Sequence, residues 1–410
     1  MNIVQGNRLW ININNIPAQY PYMANDEKCD VAIIGAGITG AICAYYFCMA
    51  GVDVILADKS IIGYGSTSAS TSILQYEVDT DLTKLVDLYG KSKAFRSFLL
   101  NQKAVDDIEK IVNDNNLQCG FSRKECLYYS SSEDDIPDMV KEYELRKECG
   151  LIVEYLDSVE ASKRFSFPVK TGIYSLWGAG EIDPYMFAHE IIKLLHSKGA
   201  KVYENTQISS FETDNKSITL NTFHGKKIKA KKAVLATGYN ILEVIKKPIA
   251  SISRTFTVAT KPVDSFNGWY NKCIIRDNET YYTYLRTTPD NRILIGGEDS
   301  KIIRKHGKMA NLYNSSRLLQ KKYDALTSKA KSYFPEIKNI TPEYCFNGIF
   351  AVTKDGLPYI GELPKLKNLY LPLCFGSNGI LYAAIAAQLL RDMFLGNASK
   401  EDIELYKFDR

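Results

Sequence analysis

The chain has 410 residues, 45% hydrophobic and 24% charged, an ordinary globular composition with length enough for two domains and a sizeable core. Fifty-one basic against 47 acidic groups leave a net charge of +4, too close to balance to point to nucleic acid. Nine cysteines, odd in number and without a CxxC pair, argue against a disulfide framework or a structural zinc site and fit reduced thiols in a cytoplasmic protein.

Residues 1–27 read as an irregular arm, and Met1–Tyr20 lacks the basic and apolar regions of a signal peptide. The nearly uncharged stretch Val31–Ala57 is punctuated by Gly35, Gly37, Gly40 and Gly51. It predicts a buried strand Val31–Ile34, a helix Ile38–Ala50 and a second strand Val52–Ala57 rather than a membrane span. A run of small residues, Gly63–Ser72, follows, and residues 80–115 read as one or two helices. Pro184 to Gly199 predicts a helix capped by Asp183, with Phe187, Ile191, Leu194 and Leu195 on one face.

Val202–Tyr203 and Ala233–Ala236 read as strands, with Lys226, Lys227, Lys229, Lys231 and Lys232 as a solvated strand edge. From about 253 to 300 the pattern is strand-like. Tyr282, Tyr284 and Arg286 alternate onto one face, Pro289-Asp290-Asn291 turns the chain, and Arg292–Ile295 returns. Residues 310–334 predict an amphipathic helix, with Leu312, Leu319, Tyr323, Leu326 and Ala330 in register, stopped by Pro335. The strand Leu369–Leu373 leads through Phe375-Gly376-Ser377-Asn378-Gly379 into a last helix, Ile380–Leu395.

The strongest local signal is Gly35-Ala36-Gly37-Ile38-Thr39-Gly40. A strand runs into it, a helix opens from it, and Asp58 ends the next strand 23 positions after Gly35, the context expected of a dinucleotide site. Gly35 permits the tight turn, Gly37 lets backbone N–H groups approach a pyrophosphate, and Gly40 lets the helix pack on the strand. The helix N-terminus favours the phosphates, and Asp58 can accept hydrogen bonds from ribose hydroxyls. A nicotinamide dehydrogenase, an alternative reading, continues promptly with a second mononucleotide half. Here Asp58 is followed instead by the hydroxyl-rich Gly63–Ser72. The second glycine turn, Gly376–Gly379, supplies another helix N-terminus, suited to the negative charge that reduced flavin gathers at N1–C2=O.

Together these residues resemble the D-amino-acid oxidase family of flavoproteins, which includes glycine oxidase, sarcosine oxidase and the gamma-glutamylputrescine oxidase branch. Five pieces carry the resemblance: Asp30–Gly40; Asp58-Lys59 with Gly65–Ser72; Asp183-Pro184 with Gly199–Ile208; Ala236-Thr237-Gly238; and Thr353–Gly361 with Phe375–Ile380. Trp10 and Tyr20-Pro21 look like the putrescine branch. The resemblance implies an α/β fold with an α+β second domain: a Rossmann-like FAD-binding domain beside a discontinuous mixed-sheet substrate domain. The expected division is 28–90, 165–245 and 340–400 for FAD, and 91–164 and 246–339 for a substrate cap.

By position, the resemblance implies that Ile38, Thr39, Asp58, Lys59, Ser66, Thr67, Thr71, Ser72 and Ile73 line FAD. Ile208 meets the adenine through its backbone, Thr237, Gly238 and Gly348 contribute, and Phe375, Gly376, Ser377, Asn378, Gly379, Ile380 and Leu381 wrap the flavin edge. Tyr284 falls where glycine oxidase has a substrate-contacting tyrosine. The arginines with which amino-acid oxidases grip a carboxylate are replaced by Phe350 and Ser377, so an amine is favoured unless Arg286 substitutes. The cysteine that bonds FAD in the sarcosine branch falls on Gly348, with Cys345 three residues early, which implies non-covalent FAD and leaves Cys345 to check.

The expected reaction is hydride transfer from the α C–H of a neutral amine to flavin N5, followed by hydrolysis of the imine. Oxygen or an unknown carrier takes the electrons. No protein base is required, in keeping with four histidines in no recognisable motif, and no metal is called for. Tyr284, Phe346 and Arg286 are the expected pocket residues. A flavin-binding protein whose catalysis is lost, retained as an interaction subunit, is the rival reading of another class.

Overall fold

The computed structural model describes the chain except residues 1–2, 244, 246–248, 303, 306–307, 310–315 and 364–365. His306 and Leu312 lie outside the described residues.

The first of two large sheets is built around the strand Glu27–Ile34. Val54–Ala57 and Lys227–Leu235 flank it in parallel, Lys201–Tyr203 extends one side, and Leu369–Leu373 then Tyr359–Glu362 extend the other. Parallel strands need crossovers, and helices on the faces cover them, which is why Val31, Ala32 and Ile33 are fully buried and read as a continuous apolar run. The expected helix forms over Ile38–Met49 and stops where Gly51 takes φ 76°. The helix Pro184–Ser197 is capped as expected, the Asp183 carboxylate accepting from the N–H groups of Tyr185 and Met186. Together with the last helix, Gly379–Leu395, these helices share one core with Phe98, Ile108 and Leu85 from Leu82–Asp114. That last element is two helices joined at Gly90 (φ 78°), which only glycine adopts without strain.

Lysines 227, 229 and 231 are exposed, as expected, but their strand is not an edge. It is paired on both sides, and its outward positions alternate with the buried Ile228 and Ala230.

The second sheet runs, in order, Val4–Gly6, Pro342–Val352, Ser251–Thr260, Ile293–Lys301, Tyr284–Thr287, Ile274–Asp277, Ser122–Ser130, Thr171–Glu181 and Ile73–Gln75, with Val153–Asp157 paired on Thr171–Glu181. Its strands come from segments scattered along the chain, so Thr171–Glu181 and Pro342–Val352 belong to this sheet although the strands that follow them, Lys201–Tyr203 and Tyr359–Glu362, belong to the first. The helix Ser316–Tyr333 packs Tyr323, Leu326 and Ala330 against it. The N-terminal arm is not irregular. Val4–Gly6 pairs with Pro342–Val352, and the short helix Leu9–Ile13 buries Leu9 and Trp10, whose indole N–H donates to the Ser70 carbonyl at 2.7 Å. Burial of those two side chains decides the arm's structure against its Asn-rich composition. Among the described residues, no helix is long and apolar enough to cross a membrane.

Arg410 pins the turn Thr353–Pro358. Its guanidinium makes two hydrogen bonds to the Asp355 carboxylate, at 2.8 and 3.0 Å, and others to the carbonyls of Leu357 and Pro358. Burial alone would raise the Asp355 pKa, but Arg410 holds it below the usual carboxylate range. A carboxylate held low in the folded state adds stability above about pH 4, its unfolded value, and loses it as pH falls through the folded value. Arg410→Ala leaves that carboxylate buried and unpaired, so urea unfolding at pH 7 should show a loss of about 3 kcal/mol or more. The acid side of the stability profile should become shallower. A loss under about 1 kcal/mol would mean the pair is solvated and screened.

Candidate functional site

A cavity of about 820 Å³ runs from the glycine turn of the first sheet to one face of the second. At the first end, Gly35 has φ 106°, and a Cβ on Gly40 would lie 1.8 Å from the Gly35 carbonyl oxygen, so the helix can seat here only on glycine. Gly40 is thus packing rather than cavity wall. The helix N-terminus opens on the cavity at Gly37, Ile38 and Thr39, and Thr67 Oγ1 accepts from the Ile38 N–H at 3.0 Å. Asp58 lines the same end. Its carboxylate accepts from the N–H groups of Ala36, at 2.6 Å, and Ser60, at 2.8 Å, which ties the turn to the end of the second strand. Lys59, Ser66, Thr67, Thr71, Ser72, Ile73, Ile208, Thr237 and Gly238 continue the wall. Ser66 Oγ and Ser72 Oγ are buried without a hydrogen-bond partner among the described residues, polar atoms that a ligand rich in oxygen and nitrogen would satisfy.

The second glycine turn meets the same cavity. Phe375, Gly376, Ser377, Gly379 and Ile380 line it, and Phe375 stacks on Tyr239 at 5.5 Å between ring centroids. A Cβ on Gly376 (φ 92°) would lie 2.6 Å from Asp79 Oδ2, which accepts from the Ser377 N–H at 2.9 Å. Asn378 and Leu381 do not reach the cavity. The Asn378 amide donates to Gln75 O and Asn101 Oδ1, and Leu381 is core.

The far wall is a row of side chains across the second sheet. Arg276 stands opposite Tyr284 in the antiparallel pair, Tyr284 opposite Gly296, and Gly296 opposite Thr257. The Tyr284 ring lies flat over Gly296, where a Cβ would meet ring carbons at 2.3 Å, and its hydroxyl reaches Thr255 Oγ1 at 3.3 Å. Tyr282 lies just before the strand. Its ring is 5.8 Å from that of Tyr284, and its hydroxyl donates to Asp79 Oδ1 at 2.9 Å. Asp299, Gln75, Gly348 and Phe350 complete this end. Burial, reinforced by Asp299, pushes the Tyr284 phenol up to about 12, so it stays protonated at neutral pH.

Two of the expected pocket residues lie away from the cavity. Arg286 is on the Tyr284 face but one step further along the strand, beneath the Trp10 ring at 5.1 Å. It donates to the Ser72 carbonyl at 2.9 Å and to that of Ile182 at 3.2 Å, so it holds the Thr71–Ile73 segment in place from behind. Phe346 is fully buried with Leu9, Trp10 and Tyr185 under the N-terminal helix. Alternation identifies the face of a strand. How much of that face a distant segment covers is not local information. Cys345 does not reach the cavity. The cavity thiol is Cys374, and burial pushes its pKa well above the usual thiol value, which leaves it un-ionised. His189 is buried behind Gly63, its pKa lowered to about 4 by burial, and is neutral. Arg276, Asp299 and Thr255 line the cavity without any mark from motif or alternation, and Tyr282, placed on the Tyr284 face by alternation, joins them. The one signal for Arg276 is a charge that follows two isoleucines inside a strand buried along its whole length.

A family model described as FAD dependent oxidoreductase, DAO, matches residues 30–393. Glycine oxidase of Geobacillus kaustophilus is 22% identical, over 94% of this chain and 97% of its own length. Gamma-glutamylputrescine oxidoreductase of Escherichia coli is also 22% identical, over 94% of this chain and 88% of its own. The crystal structure of the Geobacillus kaustophilus glycine oxidase has the same fold, with a TM-score of 0.77 at 20% identity, covering 94% of this chain and 99% of that one.

The turn glycines, the helix terminus and the two orphan serine hydroxyls fit an FAD dinucleotide. If Asp58 meets its ribose, Asp58→Ala should weaken FAD retention by about tenfold or more, measured by titrating the stripped protein with FAD fluorescence. An unchanged affinity would leave Asp58 with only the backbone of Ala36 and Ser60 to hold.

Proposed function

Because the chain belongs to the DAO family of FAD-dependent oxidoreductases, we propose that it oxidises the C–N bond of an amine or amino acid at the tyrosine-lined end of this cavity. One observation carries the reading: a single cavity joins both glycine turns, at which an FAD would lie, to a sheet face that carries charged and hydroxyl groups. FAD, when bound, supplies the hydride acceptor for the C–H next to nitrogen.

The chain's own residues bind, orient and exclude water. Gly37, Ile38 and Thr39 offer the helix N-terminus to the pyrophosphate, and Asp58 takes the ribose. Thr71, Ser72 and Ile73, propped by Arg286, form the floor between dinucleotide and substrate. The partial positive charge at the start of Gly379–Leu395 faces the end at which electrons arrive. Tyr284 is fixed by Gly296 and Thr255, and offers a neutral donor and an aromatic wall. None of the tyrosines there is ionised at neutral pH, so they bring no phenolate base to the amine, whose proton leaves before the hydride step.

We read the FAD as non-covalent, since Cys345 lies off the cavity and Gly348 occupies the wall beside it. Oxygen or another carrier then reoxidises it. The nine free cysteines support a reducing, cytoplasmic setting.

Anaerobic mixing with a panel of amines and of D- and L-amino acids tests the reading. At least one compound should bleach the flavin absorbance near 450 nm, at a rate that saturates with concentration. Flavin that dithionite reduces but no member of the panel does would favour a binding subunit without catalysis.

A further inference from the structure

The charged residues of the cavity wall fall into two pairs, Asp58 with Lys59 at the dinucleotide end and Arg276 with Asp299 at the other. The second pair does not neutralise itself. Arg276 is only 7% exposed and forms no ion pair among the described residues. Its hydrogen bond to the Val78 carbonyl is long, 3.3 Å, and its Nε is buried without a partner. The rings of Tyr282, at 4.2 Å, and Tyr128, at 5.5 Å, sandwich the guanidinium and hold it in place without cancelling its charge. Against burial, the carboxylates of Asp79 and Asp81 raise the Arg276 pKa from beyond ion-pair distance, and Asp79 is itself hydrogen-bonded to the Tyr282 hydroxyl and the Ser377 N–H.

Asp299 is in the opposite condition. It accepts from Ser253 Oγ at 3.2 Å and from Thr255, and forms no ion pair among the described residues. Lys322, the cation that influences it, is paired to Glu298 instead. A buried guanidinium with an unpartnered N–H and a half-buried carboxylate held only by hydroxyls, both facing one cavity, are groups that a ligand of opposite charges can complete.

Their separation narrows the ligand. Arg276 lies on Ile274–Asp277 and Asp299 on Ile293–Lys301, with Tyr284–Thr287 between them. Two strand spacings amount to about 10 Å, and Asp299 lies three residues past Gly296, the residue in the Arg276 row, which adds an offset of about 10 Å along the strand. The Tyr284 side chain fills that interval, its ring lying over Gly296 and its hydroxyl turned toward Thr255 on the Asp299 side. The two charged groups of an α-amino acid are attached to one carbon and cannot span it.

We propose that the cavity recognises an elongated bipolar substrate, with a carboxylate or similar anion on Arg276 and a cationic nitrogen, several bonds away, on Asp299. Tyr282 and Tyr284 line the aliphatic span between them. This assignment rests on the reading of the cavity as an FAD-dependent amine-oxidation site, and it restores an anion-binding arginine from the strand Ile274–Asp277, which carries neither Phe350 nor Ser377. A neutral polar or apolar span suits the tyrosine faces, as in an ω-amino acid or a basic amino acid.

The test titrates the FAD-loaded protein with unbranched ω-amino acids from glycine to 6-aminohexanoate, and reads the perturbation of the flavin spectrum. Alkylamines and fatty acids of matched length are run beside them. Affinity should rise from glycine to a maximum at three to five methylenes, and should exceed that of the matched amine and acid by about tenfold or more. Arg276→Gln should erase the advantage over the amine, and Asp299→Asn the advantage over the acid. Arg276→Lys, which keeps the charge but not the fork, should recover part of it.

A flat series, glycine as the tightest ligand, or variants that retain FAD and bind like the unmodified protein would overturn the proposal. If a variant fails to hold FAD, the length series on the unmodified protein still decides. Whether any ligand reduces the flavin is read in the same cuvettes and bears on the catalytic reading alone, since binding and reduction are separate signals.

Discussion

The backbones of Gly35 and Gly40 touch, and the cavity exists because they do. No side chain can stand at position 40, because its first carbon would overlap the Gly35 carbonyl oxygen. That contact sets the helix Ile38–Met49 directly on the strand Glu27–Ile34 and aims its free N–H groups outward past the sheet edge. The strand is buried on both faces, so the direction is rigid. The C-terminal turn is brought to the same place by a looser contact, Gly376 against the Asp79 carboxylate. Asp79 carries the constraint onward, since its second oxygen holds Tyr282 and so couples the flavin end of the cavity to the substrate wall.

The second sheet complements this rigidity. Its strands come from distant parts of the chain, and their register puts Arg276, Tyr284, Gly296 and Thr257 in one row. The row works because its members differ in size. Gly296 is the gap into which the Tyr284 ring folds, so the tyrosine lies along the wall instead of filling the cavity. Arg286, two residues on, is covered by Trp10 and acts from behind on Ser72.

The parts of this arrangement that the sequence reveals are those with local causes. A glycine spacing, an apolar run and an acid at the end of the next strand are consecutive, so the dinucleotide end was legible, as was the helix after Asp183. Tyr284 is legible through the family resemblance, and alternation adds only that it shares a strand face with Tyr282 and Arg286. Phe346, expected from its place beside Asn347-Gly348, and Arg286, expected from that shared face, are both buried, because a helix at residues 9–13 lies over that part of the sheet. Arg276 and Asp299 could not be found by alternation at all. Arg276 lines the cavity through pairing across strands, and Asp299 through a register shift in which it has no partner opposite, and both are non-local properties. The lysine-rich strand failed in a related way: exposed alternate positions do not tell an edge strand from a central one.

The most direct measurement is the FAD content of the protein after gel filtration, for the unmodified chain and for Gly37→Val and Gly376→Val separately. If both turns embrace one dinucleotide, the unmodified chain carries about one FAD, released by acid, and each substitution, far apart in sequence, removes it while the fold persists by circular dichroism. A folded unmodified chain without FAD, or a Gly376→Val variant that keeps a full complement, would contradict the view that the two turns share one ligand.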